Sequence, residues 1–194
     1  MKQENSTYNI IIESGRKIFG KFGYRKTTLD NISEDANLSK TAIYYYFKNK
    51  EEIFTAVVTE EAEILKKNIL QSVANFSDPK GMLRAYISSR MNTLKSVSLY
   101  YEVFKNELLD HLSFIDQIRE KYHKEEIMLV SRILSEGNEA GAFNVSNIEL
   151  TAETIVTILK GSEIPLFLNS NPDDLDNKLN NLIHLIIHGI SKPI

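Results

Sequence analysis

Between Thr27 and Phe47 the chain reads TTLDNISEDANLSKTAIYYYF, two short runs of helical spacing separated by Asp35-Ala36-Asn37-Leu38. In the first run Leu29, Ile32 and Ala36 share one face, with Thr27 or Thr28 as the cap; in the second, Ile43 and Phe47 lie one turn apart and face inward. Asn37 tolerates the left-handed conformation that a three- to four-residue turn between crossed helices requires, and Ser39 can cap the second helix. The pattern predicts a helix-turn-helix. Tyr44, Tyr45 and Tyr46 then pose a problem, because a helix turns about 100° per residue and three consecutive aromatics cannot share one buried face. With Ile43 and Phe47 inward, the opposite arc holds Thr41, Tyr44, Tyr45 and Lys48, flanked by Lys40, with Tyr46 at the side. Phenols, a small hydroxyl and ammonium groups on one arc suit a phosphate backbone and its groove. The alternative is a small aromatic core of these tyrosines with Phe19, Phe22, Tyr24 and Phe54.

Elsewhere the chain gives little encouragement to strands. Glycine and proline are scarce, 8 and 4, and no segment alternates apolar and polar residues over strand length, so the fold class expected is all-α. Asp78-Pro79 and Asn171-Pro172 place a capping side chain before a proline at the first helical position; Asn49 with Glu52, and Ser146 with Glu149, have capping-box spacing. These marks predict about nine helices, over about 5 to 22, 28 to 36, 39 to 46, 49 to 74, 79 to 96, 99 to 111, 114 to 138, 148 to 168 and 172 to 190. Two domains are expected, 1–48 carrying the helix-turn-helix and 49–194 built of longer helices.

Charge is distributed unevenly. Residues 1 to 50 hold nine Lys/Arg against five Asp/Glu, a local +4, within a chain whose net charge is −3. A basic N-terminal end is compatible with a nucleic-acid partner. The absence of cysteine removes disulfides, thiolate metal sites and cysteine nucleophiles. MKQENSTYNIII is a poor secretory signal and no run approaches the length of a membrane span, so a cytoplasmic protein with no membrane partner is expected. Gly15 to Lys21 has the spacing of a phosphate-binding loop, but Phe22 follows where a Ser/Thr would hold magnesium, and no strand precedes it; these glycines are expected to permit close helix packing. His184 and His188 are one turn apart without the glutamate of a zinc-protease helix, and no serine sits in a nucleophile elbow. An enzyme, a cofactor and a metal are therefore not expected.

Residues 11 to 54 resemble the N-terminal domain of the tetracycline-repressor (TetR) family of bacterial transcription regulators. The resemblance rests on Ile18-Phe19 with Gly23-Tyr24, on Thr27-Thr28 and Ile32, and on Leu38-Ser39-Lys40 with Ile43-Tyr44-Tyr45-Tyr46-Phe47 and Lys50-Glu51. Asn37, Thr41, Ser33 and Tyr46 depart from residues common in that family. The resemblance implies that Thr27, Thr28, Tyr44, Tyr46 and Lys50 anchor phosphates of double-stranded DNA while Lys40, Thr41 and Tyr45 approach bases; Ser39 and Lys48 complete the expected interface. It further implies a palindromic operator and release of that operator by a small, largely hydrophobic effector. A TetR-like DNA-binding protein with a structural role and no effector is the alternative.

The second half of the chain supplies candidates for those partners. On the last helix Leu175, Leu179, Leu182, Ile183, Leu185, Ile186, Ile187 and Ile190 spread round more than half the circumference, wider than one core requires. A homodimer interface is expected from Ile155, Leu159, Phe167, Leu179, Ile183, Ile186, Ile187 and Ile190, with burial in the monomer's own core as the competing reading. Tyr86, Arg90, Tyr100, Tyr101, Phe104, Tyr122 and His123 are candidates to line an effector cavity. Pro165, with Gly161 one turn before it, predicts a kink or an early helix end.

Overall fold

The structure, a computed structural model, describes residues 2–96, 113–168 and 172–191. Among them are eight helices: α1 (Lys2–Lys26), α2 (Leu29–Asp35), α3 (Lys40–Tyr46), α4 (Lys50–Val73), α5 (Pro79–Ser96), α6 (Ser113–Glu139), α7 (Ile148–Leu168) and α8 (Pro172–Ile190). The only extended pairing among the described residues is an isolated bridge between Phe143 and Ser191. The fold is all-α. The helix expected near 99 to 111 lies outside the described residues.

Local chemistry accounts for where these helices begin and end. Gly23, at φ 75 and ψ 166, breaks α1 after Phe22 and leaves one further turn to Lys26. Asn49 Oδ1 accepts from the Glu52 amide at 2.9 Å, and the Glu52 carboxylate accepts from the Lys48 amide at 2.8 Å, so α4 is capped reciprocally. Asp78 Oδ1 accepts from Gly81 N–H at 2.7 Å ahead of Pro79, as expected. At α7 the cap is Asn147, one residue beyond the expected Ser146: its Oδ1 accepts from the Leu150 amide at 3.0 Å. The same helix continues past Pro165 to Leu168, where the sequence map ended it, so of the two outcomes expected at Pro165, a kink or an early end, the early end does not occur.

The described residues divide into two compact units, one reaching from the N-terminus to Ile64 and the other taking Leu65–Ser96 and the chain from Asp116 onward. The first has a core of Ile11, Ile18, Phe19, Ile32, Ile43, Phe47, Ile53 and Phe54, all nearly inaccessible to solvent. Gly15 lets α4 approach α1, since a Cβ there would stand 2.8 Å from Ile53 Cγ2. The second unit is built on α5, α7 and α8, which pack against one another. Near the end of α6, the Phe143 ring lies on Gly137, where a Cβ would meet it at 1.9 Å.

That second core absorbs most of the residues expected at a dimer interface. Ile155, Leu159, Leu179, Ile183 and Ile187 are buried within the single chain, and Ile186 and Ile190 are half-buried. The wide apolar spread of α8 is consumed by its own contacts with α5 and α7, which corrects that assignment for the five buried residues. The Phe167 side chain lies outside the described residues. Facing outward are His184, Leu185 and His188 on α8 and Thr154, Thr157 and Ile158 on α7, with Leu185 61% exposed.

Candidate nucleic-acid interface

The short helices α2 and α3 are set by the turn between them. Asn37 has φ 52, the left-handed value that asparagine accepts at small cost, and the Leu38 amide donates to the Ser33 carbonyl at 3.0 Å. Ser39 Oγ then accepts from Ala42 N–H at 3.1 Å and starts α3. Of the two threonines that could cap α2, Thr28 does so: its hydroxyl accepts from the Asn31 amide at 3.2 Å while Asn31 Oδ1 accepts from the Thr28 amide at 3.0 Å. Asn31 was missed in the sequence, although the Thr-x-x-Asn spacing is a variant of the capping box.

With Ile43 and Phe47 buried and Phe47 stacked on Tyr8 at 5.2 Å, α3 turns its opposite side to solvent. Tyr44 is 55% and Tyr45 75% exposed, and Thr41 and Lys48 are exposed beside them. Tyr46 is half-buried with its ring edge-on to Tyr45 at 5.0 Å. The aromatic core does form, but from Phe19, Tyr24 and Phe54, whose centroids stand 4.8 and 4.9 Å from one another through Phe54. Tyr44 and Tyr45 take no part in it, and Phe22 is 41% exposed. Seven residues of helix with one such face are about 10 Å long, short enough to lie in a major groove.

Two expected phosphate anchors are engaged within the chain itself. Thr27 is fully buried, and its hydroxyl donates to the Gly23 carbonyl at 2.8 Å. Lys50 points its ammonium inward, donating to the carbonyls of Tyr24, Arg25 and Thr27 at 2.9, 3.2 and 2.9 Å and lying 4.6 Å from the centre of the Tyr24 ring. Thr28, Ser39 and Lys40 are exposed. Lys40 is ion-paired with Asp30 across the turn, both groups more than half exposed, a pairing weak enough to be exchanged for phosphate. A contact that no spacing revealed joins Lys17 of α1 to Asp35 at the end of α2; the hydrogen bond from Lys17 holds that carboxyl below its ordinary range.

In the second unit the candidates for an effector site meet charged residues that sequence reasoning passed over. Arg90, 1% exposed, donates from Nε to Glu126 Oε1 at 2.7 Å and places Nη2 2.6 Å from Glu163 Oε1. Tyr86, fully buried, donates its hydroxyl to Glu126 Oε1 at 3.2 Å. Burial works against the charge on Arg90, but Glu126 and then Glu163 more than offset it. Burial pushes the Glu163 carboxyl up, against the pull of Arg90, and raises the Tyr86 phenol further still with the help of Glu126. Tyr122 is buried, and His123 Nδ1 is 2.9 Å from Lys160 Nζ. Tyr100, Tyr101 and Phe104 lie outside the described residues. A glutamate inside the apolar run from Ile155 to Leu168 was the available signal for Glu163.

Residues 11–57 match the family described as bacterial regulatory proteins, tetR family. The N-terminal domain of this chain is a TetR-family domain. Over 191 residues, 98% of each chain, the protein is 23% identical to the fatty acid metabolism regulator protein of Bacillus subtilis. A shorter and closer match, 46% over 44 residues, covers 23% of this chain and 24% of the biofilm operon icaADBC negative transcriptional regulator IcaR of Staphylococcus epidermidis. The crystal structure of the transcriptional regulator FadR from Bacillus subtilis in complex with stearoyl-CoA superposes with a TM-score of 0.80 at 22% identity, covering 94% of this chain and 99% of that one. At that identity the superposition speaks for the fold, and the TetR-family match identifies the helix-turn-helix as a DNA-binding one. Among the described residues, no helix is long and apolar enough to cross a membrane and no group of three or more ligating side chains could hold a metal.

Proposed function

We propose that the protein is a homodimeric transcriptional repressor that inserts α3 into the major groove of a palindromic operator and releases it when a small, largely hydrophobic effector binds the helical region 49–194. The observation that carries the reading is the outward face of α3. Tyr44 and Tyr45 stand exposed on the second helix of a helix-turn-helix whose Ile43 and Phe47 are buried. Thr41 and Tyr45 are assigned to base edges, and Thr28, Ser39, Tyr44 and Lys48 to phosphates. A twofold dimer supplies two reading helices for half-sites about 34–36 Å, or a multiple, apart. Its interface is assigned to the outward residues of α7 and α8, since their inward residues are committed to the chain's own core.

A hydrophobic effector suits the second unit, because the buried charge of Arg90 is already matched by Glu126 and Glu163. Helix α4 contributes to both compact units, so an effector that favours a displaced α4 shifts the population away from the binding-competent form. Release from mostly bound to mostly free requires about 5 kcal/mol of differential affinity between the two forms. Selection of bound fragments from random duplexes by the purified protein tests the core of the reading, with a palindrome as the expected product. No salt-dependent binding to any duplex would refute it. Because stearoyl-CoA is the ligand in the Bacillus subtilis structure, it is the first compound to add to the assembled complex.

A further inference from the structure

Asp30 and Lys40 belong to the first turns of different helices and meet across the turn between them. Asp30 lies inside the cap that starts α2: Thr28 and Asn31 exchange hydrogen bonds on either side of it, and its own carbonyl accepts from Ser33 Oγ at 2.9 Å. Lys40 is the first residue of α3, directly after the capping Ser39. Both backbones are therefore fixed, and the adjustable part of the pair is the flexible stem of Lys40, whose ammonium is drawn to the Asp30 carboxylate. A carboxylate is a poor neighbour for DNA, because it repels the phosphates that a basic head has to approach. Asp30, 62% exposed beside the reading helix, weakens attraction to every duplex, so its place there calls for a role other than affinity. An acid also suits the first turn of α2, but that role would register in stability alone.

We propose that Asp30 is a positioning residue for sequence discrimination: it acts through Lys40, drawing that ammonium away from the phosphates of unrelated DNA and aiming it at a base edge of the operator. An unrestrained lysine on the reading face is indifferent to sequence, since a phosphate lies within its reach in any register. With one of its three N–H donors given to Asp30, Lys40 keeps two for the paired acceptors of a guanine edge. A phosphate, by contrast, has to displace the carboxylate. The penalty falls on non-specific contact, while specific contact preserves the pair. Because the pair is exposed, it biases the choice and does not forbid the exchange. The proposal rests on the DNA-binding reading above.

The test titrates the full chain and its Asp30→Asn variant, which keeps the size of the side chain, with the duplex selected from random sequence and with an unrelated one across a NaCl series. Asp30→Asn should raise affinity for the unrelated duplex and steepen its salt slope by about 0.9 for each Lys40 released to a phosphate. The ratio of selected to unrelated affinity should fall about three- to tenfold, the size an exposed pair in each of two reading heads allows. In a Lys40→Met background the same Asp30→Asn change should leave that ratio unaltered within about twofold. Glu34→Gln removes an equal charge from an exposed site on α2 and should shift affinity for both duplexes alike. A ratio unchanged by Asp30→Asn would overturn the proposal. So would an equal fall in the Lys40→Met background, which would mean that Asp30 acts on DNA directly, or an equal fall from Glu34→Gln. If the parent chain binds neither duplex, it is the DNA-binding reading that fails, and this proposal falls with it.

Discussion

Replacing Arg90 by methionine should be among the most damaging single changes in the second unit, and the damage should depend on pH. The side chain is 1% exposed and sits between Glu126 at 2.7 Å and Glu163 at 2.6 Å. With charge centres about 4 Å apart and an effective dielectric near 20, each pairing is worth about 4 kcal/mol before desolvation is counted. Methionine fills much of the volume but leaves two carboxylates facing each other, and breaking a buried pair in this way costs about 3–5 kcal/mol. For a chain of this length that corresponds to a melting temperature lower by about 6–20 °C. The sign of the pH dependence follows from Glu163, whose carboxyl burial already pushes above its ordinary value. A group raised in the folded state contributes stability below its unfolded value of 4.5 and loses it as pH rises through the folded one. Without Arg90 the carboxyl rises further, so the deficit should be largest near pH 7.5 and shrink toward pH 5. Urea unfolding at fixed protomer concentration, repeated across that range, reads both quantities. A deficit below about 1 kcal/mol at pH 7.5, or one that does not change with pH, would refute the argument that Arg90 neutralises a buried carboxylate pair.

The left-handed turn at Asn37 should accept glycine with little change, whereas Asn37→Val should cost about 1–2 kcal/mol in chemical denaturation. Tyr45→Ala should leave stability within about 0.5 kcal/mol of the parent, as befits an exposed site, while abolishing preference for the palindrome in a gel-shift assay. Phe47→Ala, its buried neighbour two residues on, should cost about 3–5 kcal/mol and weaken all DNA binding through loss of fold. Gly137→Ala should destabilise by about 1–3 kcal/mol because its Cβ would overlap the Phe143 ring, with the melting temperature as the readout.

Much of the architecture was legible because it is written in local chemistry. The caps at Asn49 and Asp78 and the left-handed Asn37 act over three or four residues, and each stands where its spacing placed it. The outward tyrosines were legible for the same reason, since Ile43 and Phe47 define the buried side of a helix from sequence alone. Lys50 was not, because its acceptors are 23 to 26 residues away and become an acceptor cluster only after Gly23 turns the chain. Thr27 and Thr28 look alike in sequence, and only the fold decides that one is sealed and the other caps. The charged cluster escaped for a related reason: Arg90, Glu126 and Glu163 come from three helices, and no periodicity links them.

Helix α8 shows how a wide apolar face can be misassigned and which part of it is left for a partner. Leu175, Leu179, Ile183 and Ile187 recur every four residues and are all buried in the chain's own core, so they account for most of the apolar spread. Leu185 lies off that row and is 61% exposed between His184 and His188, whose rings stand 4.3 Å apart. In the proposed dimer through α7 and α8, the residues left to meet a partner are Leu185 and Ile158, since the row that the sequence favours is buried. Leu185→Glu should convert the proposed dimer to monomer in sedimentation, leave helicity and single-chain packing intact, and weaken palindrome binding because one reading head alone addresses one half-site. Ile183→Ala should do the reverse, lowering stability by about 2–5 kcal/mol by opening a cavity while leaving association of the folded fraction unchanged. If Ile183→Ala dissociated a folded dimer and Leu185→Glu had no effect, the outward face of α8 would not be the interface.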